Sequence, residues 1–211
     1  MPSRFFITGT DTGVGKTVVS ALLCAALDAI YWKPIQTGSR EGTDRKSVME
    51  LARLSRDRTI PEAYEFAPPV SPHLAAARAG VRIKLTTIRL PRLAPGAHLI
   101  VEGAGGVLVP INERDLMSDL MKRLKLPVVL VSRTALGTIN HTLLSLAALR
   151  AKNLDVRGVV MVGKANADNR RAIERYGDAH VIGWVPRLDR IHKTALVAVF
   201  RKHFDRRIFS P

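Results

Sequence analysis

The sequence predicts an α/β domain built on a doubly wound, mainly parallel sheet. Three observations point there. Apolar runs without alternation recur at Leu99-Ile-Val101, Val128-Val-Leu-Val131 and Val159-Val-Met-Val162, the pattern of strands covered on both faces. Helical segments lie between or after them, so strand and helix alternate throughout. A glycine-rich loop, Gly9 to Gly15, separates a first apolar run from a first helix.

In chain order, Arg4-Phe-Phe-Ile-Thr8 is the run before that loop. Lys16 to Asp28 reads as a helix, apolar nearly all round and therefore buried. Further helices are expected near 45–54, 116–124, 139–151 and 169–176, with one more strand possible at His180-Val-Ile-Gly183. Ser55 to Pro95 carries Pro61, Pro68, Pro69, Pro72, Pro91 and Pro95. It breaks the rhythm as an insertion or capping segment would. Phe200, Phe204 and Ile208 fall at i, i+4 and i+8, the spacing of a buried helix stripe. No repeat or linker divides the chain, so residues 1–211 are expected to form a single domain.

Composition fits a globular protein: 46% of the 211 residues are hydrophobic and 24% are charged. The single Cys24 excludes an intramolecular disulfide framework and a cysteine-rich zinc site. No apolar run is long enough to span a bilayer. Met1-Pro2-Ser3-Arg4 lacks the form of a signal peptide. A cytoplasmic location with no membrane partner is the expectation. The charge is unusual, because 33 Lys and Arg against 18 Asp and Glu give +15. Such a chain attracts polyanions, but its basic residues are spread along the sequence, and a general surface bias is favoured over a specific nucleic-acid partner.

The chemistry concentrates in Gly9-Thr-Asp-Thr-Gly-Val-Gly-Lys-Thr17. It follows a strand and opens a helix, as a phosphate-binding loop (P-loop) requires. Glycines let backbone N–H groups turn toward phosphate oxygens, and the helix N-terminus adds its positive dipole end. Lys16 can reach the β- and γ-phosphates of a nucleotide, and the Thr17 hydroxyl can ligate Mg²⁺. The strict motif has four residues between its glycines; Gly9 and Gly15 enclose five.

Ligands of open parallel sheets bind beyond the carboxyl ends of the strands. There the sequence places Glu102 with Gly103-Ala-Gly-Gly106, Ser132-Arg-Thr134, Gly163-Lys164, and Lys33-Pro34. A carboxylate ending an apolar strand needs a cation or a paired base. Mg²⁺ held by Thr17 and Glu102 would serve; a plain salt bridge is the structural alternative.

Five segments together resemble dethiobiotin synthetase. They are Gly9–Thr17, Lys33-Pro-Ile-Gln-Thr-Gly38, Ser71-Pro-His73, Glu102–Gly106 and Leu136-Gly-Thr-Ile-Asn-His141, in that family's order. The resemblance implies a P-loop ligase, cytoplasmic and homodimeric, using ATP as co-substrate and Mg²⁺ as cofactor. It implies carboxylation of 7,8-diaminononanoate with CO2, a carbamic–phosphoric anhydride, and ring closure to dethiobiotin in biotin biosynthesis. By this similarity Lys33, Lys16 and Thr12 are the catalytic candidates. The nucleotide and metal candidates are Thr12, Gly13, Val14, Gly15, Lys16 and Thr17 on the loop, with Asp44 and the Glu102-Gly103-Ala104-Gly105 turn. Thr17, Asp44 and Glu102 are the metal ligands; Glu41 and Asp57 compete with Asp44, whose alternative is an exposed helix-start carboxylate. Gly163, Lys164, Val185, Pro186 and Arg187 fall where the family binds the base. The family's usual Asn-Asp pair is replaced there by Gly163-Lys164. Thr37 stands for a substrate-contacting serine, and Leu136, Gly137 and Asn140 for the loop that closes the partner subunit's substrate site. Asn140 can equally cap a helix.

Two other readings share the loop. A deviant-loop ATPase switch acting on DNA or membrane suits the charge, but its signature lysine would fall at Asp11. An amidotransferase-linked ligase would need a further glutaminase domain.

Overall fold

The computed structural model describes residues 3–209. Met1 and Pro2 of the N-terminal run, and Ser210 and Pro211 of the basic segment, lie outside the described residues. In chain order the elements are β1 (Arg4–Gly9), α1 (Lys16–Leu27), β2 (Ile30–Trp32), β3 (Ile35–Thr37), α2 (Asp44–Ala52), β4 (Thr59–Ile60), β5 (Tyr64–Phe66) and α3 (Pro72–Arg78). They continue as β6 (Leu99–Gly106), α4 (Met117–Leu124), β7 (Val128–Arg133), α5 (Thr138–Ala151), β8 (Val156–Val162), α6 (Ala167–Gly177), β9 (Val181–Val185) and α7 (Lys193–His203).

Seven strands form one parallel sheet in the order β4-β2-β6-β1-β7-β8-β9. Alternate residues of each strand serve two separate cores. Phe6, Val101, Leu130 and Val159 face Leu120, Leu146, Leu149 and Ile173 of α4, α5 and α6. Ile7, Ile100, Val129 and Val160 face Leu22, Leu23, Val48 and Leu196 of α1, α2 and α7. Helices on both faces explain why the strands read as unbroken apolar runs. The central strand β1 has β6 on one side and β7 on the other, with Ile7 opposite Glu102 and Val129. The loop leaving β1 therefore lies beside the end of β6. Among the described residues no helix is long and apolar enough to cross a membrane.

Several expectations need correction. The β6 strand does not stop at Val101 but runs through Glu102 to Gly106, because the glycines continue to pair with β1 as far as Gly9. The Ser55–Pro95 segment is no mere insertion. Its β4 extends the main sheet beside β2, its β5 pairs with β3 in a second, two-stranded sheet, and Ile83 and Ile88 are fully buried. The stripe Phe200–Phe204–Ile208 is not one helix. The α7 helix ends at His203, Phe204 is extended, and Ile208 sits on a short 3-10 turn. Those side chains still pack inward, with Phe200, Phe204 and Phe209 ring against ring.

Candidate active site

The loop between β1 and α1 is shaped by its glycines. A Cβ on Gly9 would lie 2.7 Å from Val14 Cγ2, so the chain can fold back only over glycine. Gly15 caps α1 with φ of 101°, in the left-handed region, and offers no side-chain acceptor. The first-turn N–H groups are thus left for an anion. Lys16 is buried, and its Nζ donates to the Asp11 carbonyl at 2.8 Å. Burial and the nearby Lys33 ammonium lower its pKa to about 8. A phosphate in the loop would restore the charge that burial disfavours. Thr12 and Gly13 are exposed on the loop, whereas Val14 is buried and has only its backbone to offer a ligand.

Beside the loop, four polar side chains meet. Lys33 follows β2, is 4% exposed, and lies 2.9 Å from Asp44 Oδ2 and 3.3 Å from Glu102 Oε1. Its Nζ also donates to the Gly103 carbonyl at 3.3 Å. Burial alone would lower the Lys33 pKa, but Glu102 and Asp44 outweigh it and hold the group above its usual value. Burial likewise works against the Asp44 carboxylate, yet Lys33 and the Thr17 hydroxyl keep its pKa below normal. The Thr17 hydroxyl sits 2.7 Å from Asp44 Oδ1 and 3.0 Å from Glu102 Oε1. Asp44 is placed by α2, which Thr43 caps, and its N–H donates to Gln36 Oε1 at 3.1 Å. The structure brings Asp44, and neither Glu41 nor Asp57, to Lys33.

One hydroxyl within hydrogen-bond distance of two carboxylates makes an all-oxygen donor set of the kind Mg²⁺ takes. Among the described residues no cluster of three His, Cys, Asp or Glu could hold a metal alone. Water and a nucleotide's phosphate oxygens would complete the shell.

These groups line a cavity of about 560 Å³, into which Thr12, Gly13, Thr37, Ala104 and Gly105 also face. Gly103 lies beneath it, where a Cβ would come 2.9 Å from the Phe6 ring. Several participants have no role assigned by the sequence motifs. Gln36 and Ser71 line the cavity, and both lie in quoted motifs, the one signal that pointed to them. Tyr31, fully buried behind Glu102, donates its hydroxyl to Oε2 at 3.0 Å. Burial first, and the Glu102 charge second, push its pKa well above the ordinary value.

Other expected site residues do not join this cavity within one chain. Leu136 is fully exposed on the turn before α5, and Gly137 and Asn140 are exposed beside it. Gly163 follows β8, adjacent to the loop, since a Cβ on Gly15 would meet Val162 at 3.0 Å. Its N–H donates to the Val185 carbonyl, and its own carbonyl accepts the Trp184 indole N–H at 2.9 Å. Lys164 and Arg187 are exposed, Pro186 is half-buried and Val185 is buried.

A parallel sheet with a glycine-rich loop after its central strand, and cations beside that loop, defines a nucleotide-dependent phosphoryl-transfer protein. Residues 3–195 match a family model described as an AAA domain. The fold resembles a ParA family ATPase from Chlorobium tepidum TLS, with a TM-score of 0.57 and 12% identity over 94% of this chain and 90% of that one. Curated relatives are more specific. The ATP-dependent dethiobiotin synthetase BioD of Brucella melitensis biotype 2 is 46% identical over 204 residues, 97% of this chain and 95% of its own. Its counterpart in Rhodopseudomonas palustris strain TIE-1 is 45% identical over 209 residues, 99% and 98% respectively. The chain belongs to the ATP-dependent dethiobiotin synthetase family.

Proposed function

We propose that residues 1–211 act as one ligase domain that makes dethiobiotin, ADP and phosphate from 7,8-diaminononanoate, CO2 and ATP, in biotin biosynthesis. The reading rests on one observation above all: Lys33, Asp44, Glu102 and Thr17 meet beside the phosphate loop. CO2 adds to one amine as a carbamate, releasing a proton. A carbamate oxygen attacks the γ-phosphorus, and the bond to the ADP oxygen breaks. The second amine then attacks the carbonyl carbon of the mixed anhydride; phosphate leaves with the oxygen and takes up the amine's proton, and the cyclic urea closes.

Lys16 and the N–H groups from Thr12 to Gly15 grip the phosphates, where charge spreads during transfer. Lys33 is a buried ammonium at the junction of carbamate and γ-phosphate, kept charged by its two carboxylates. Thr17, Asp44 and Glu102 would hold Mg²⁺, which when bound neutralises charge on the phosphates. Thr37 faces the same cavity and orients the diamine. Gly163, Lys164, Val185, Pro186 and Arg187 border the nucleobase. Leu136, Gly137 and Asn140, outside the cavity of their own chain, serve a partner's site in a homodimer.

The test is ATP turnover with and without diamine plus bicarbonate, with dethiobiotin identified by mass spectrometry. Product formed in step with ADP is expected. Hydrolysis indifferent to diamine but stimulated by DNA would replace this reading with an ATPase switch.

A further inference from the structure

The two oxygens of Glu102 have different surroundings. Oε1 faces the cavity, 3.0 Å from the Thr17 hydroxyl and 3.3 Å from Lys33 Nζ. Oε2 points back into the sheet, where the Tyr31 hydroxyl at 3.0 Å is its one hydrogen-bond partner among the described residues. The sheet's register makes this contact. Tyr31 pairs with Ile100 across β2 and β6, so Glu102, two residues on, emerges on the same face as Tyr31. Both residues are buried, Tyr31 fully and Glu102 to 1% exposure, in the core shared with α1 and α2. A carboxylate oxygen there without a donor would bear the desolvation cost of a buried charge. It would be relieved by rotating toward the cavity, taking Oε1 away from Thr17.

We infer that Tyr31 is a positioning residue for metal binding: its hydroxyl fixes the Glu102 carboxylate so that Oε1 is presented to the cation. This rests on the reading of Thr17, Asp44 and Glu102 as the Mg²⁺ ligands. Partners behind a ligand orient it, and their loss typically weakens metal affinity by about 10- to 100-fold.

The experiment measures Mn²⁺ affinity from the free-ion paramagnetic resonance signal, with the full chain and the non-hydrolysable ATP analogue AMPPNP. Tyr31→Phe deletes one oxygen and keeps the ring; it should raise the Mn²⁺ Kd about tenfold. Tyr31→Met, measured in parallel, should show the same loss. Ile100→Val disturbs the same packing without touching a polar group and should leave the Kd within about twofold. In a Glu102→Gln background, adding Tyr31→Phe should cost no further affinity, because the hydroxyl acts only through that carboxylate. Wild-type affinity in both Tyr31 variants, an equal loss in Ile100→Val, or additive losses in the double variant would each overturn the positioning role while leaving the metal site standing. Wild-type affinity in Glu102→Gln would overturn the metal site, and the role of Tyr31 with it.

Discussion

Lys33 and Glu102 are buried against each other, with half-buried Asp44 and Thr17 beside them, so single truncations leave charges unpaired. Lys16→Ala removes the ammonium over the phosphate loop. Glu102→Ala leaves Lys33 with one carboxylate and Thr17 with one acceptor. Each should lower the rate of dethiobiotin formation by about 10² to 10³, read as kcat with the fold checked by circular dichroism; near-wild-type rates would exclude the mechanism. The nucleobase side is different. Both backbone groups of Gly163 are already engaged, by Val185 and Trp184. Asn166, three residues beyond Gly163, uses its Oδ1 to cap α6 through the Asn169 N–H at 2.9 Å. Lys164 offers a donor and no acceptor. GTP, CTP and UTP should therefore support turnover within about an order of magnitude of ATP, the lost contact being worth ~1–1.5 kcal/mol. The measurement is kcat/KM for each nucleotide at saturating diamine and bicarbonate; a preference for ATP near a thousandfold would show that another group reads adenine.

At the scale of elements, legibility followed length and chemistry. The strands of six to eight residues at β1, β6, β7 and β8 were visible because both faces are buried and the runs are unbroken. The two- and three-residue strands β3, β4 and β5 were not, since so few residues carry no periodicity. The phosphate loop and its helix were legible because glycine, lysine and threonine at fixed offsets have a backbone meaning. Tyr31 was not, because its role depends on a register between β2 and β6 that no local pattern encodes. Asp119 shows the same gap. The α4 helix begins after Leu116, which has no capping oxygen, and the Asp119 carboxylate reaches back to the Leu116 N–H at 2.9 Å. It also takes Lys152 Nζ at 2.6 Å, tying the start of α4 to the end of α5. Burial opposes its ionised form, but the Lys152 and Leu116 hydrogen bonds win and lower its pKa. A depressed carboxylate stabilises the fold above its unfolded pKa, and that stability is lost as pH falls through the folded value. Asp119→Asn keeps an oxygen for the Leu116 N–H but loses the charge facing Lys152, and should thus cost about 0.5–1 kcal/mol at pH 7. The gap from wild type should close once pH drops below the folded pKa, as read from urea midpoints between pH 7 and pH 2.5.

For the whole molecule, two properties extend beyond one chain's cavity. The charge of +15 is spread over the surface, and Arg187, Arg190, Arg201, Lys202, Arg206 and Arg207 near the C-terminus are all exposed. Any affinity for DNA should be blind to sequence and fall steeply as salt rises; a sequence-specific complex surviving moderate salt would reopen the switch reading. The second property is the separation of Asn140 from Lys33. Buried Lys33 lines the cavity, while Leu136, Gly137 and Asn140 face solvent, Leu136 wholly exposed and Leu144 on α5 62% exposed. Large apolar side chains left outside on the same segment as a substrate candidate suit a surface that a second copy covers. If a homodimer builds each site from the Lys33 of one subunit and the Asn140 of the other, Lys33→Ala and Asn140→Ala proteins are each inactive alone. Mixed so that subunits exchange, half the dimers are hybrids, and each hybrid has one site in which both residues are intact. Activity should recover to about a quarter of the wild-type value at equal mixing, by the symmetry of a two-fold dimer. Sedimentation should show a dimer at the concentrations where activity returns. No recovery after verified exchange, or a stable monomer with full activity, would place Asn140 outside the partner's site and leave a single chain as the complete enzyme.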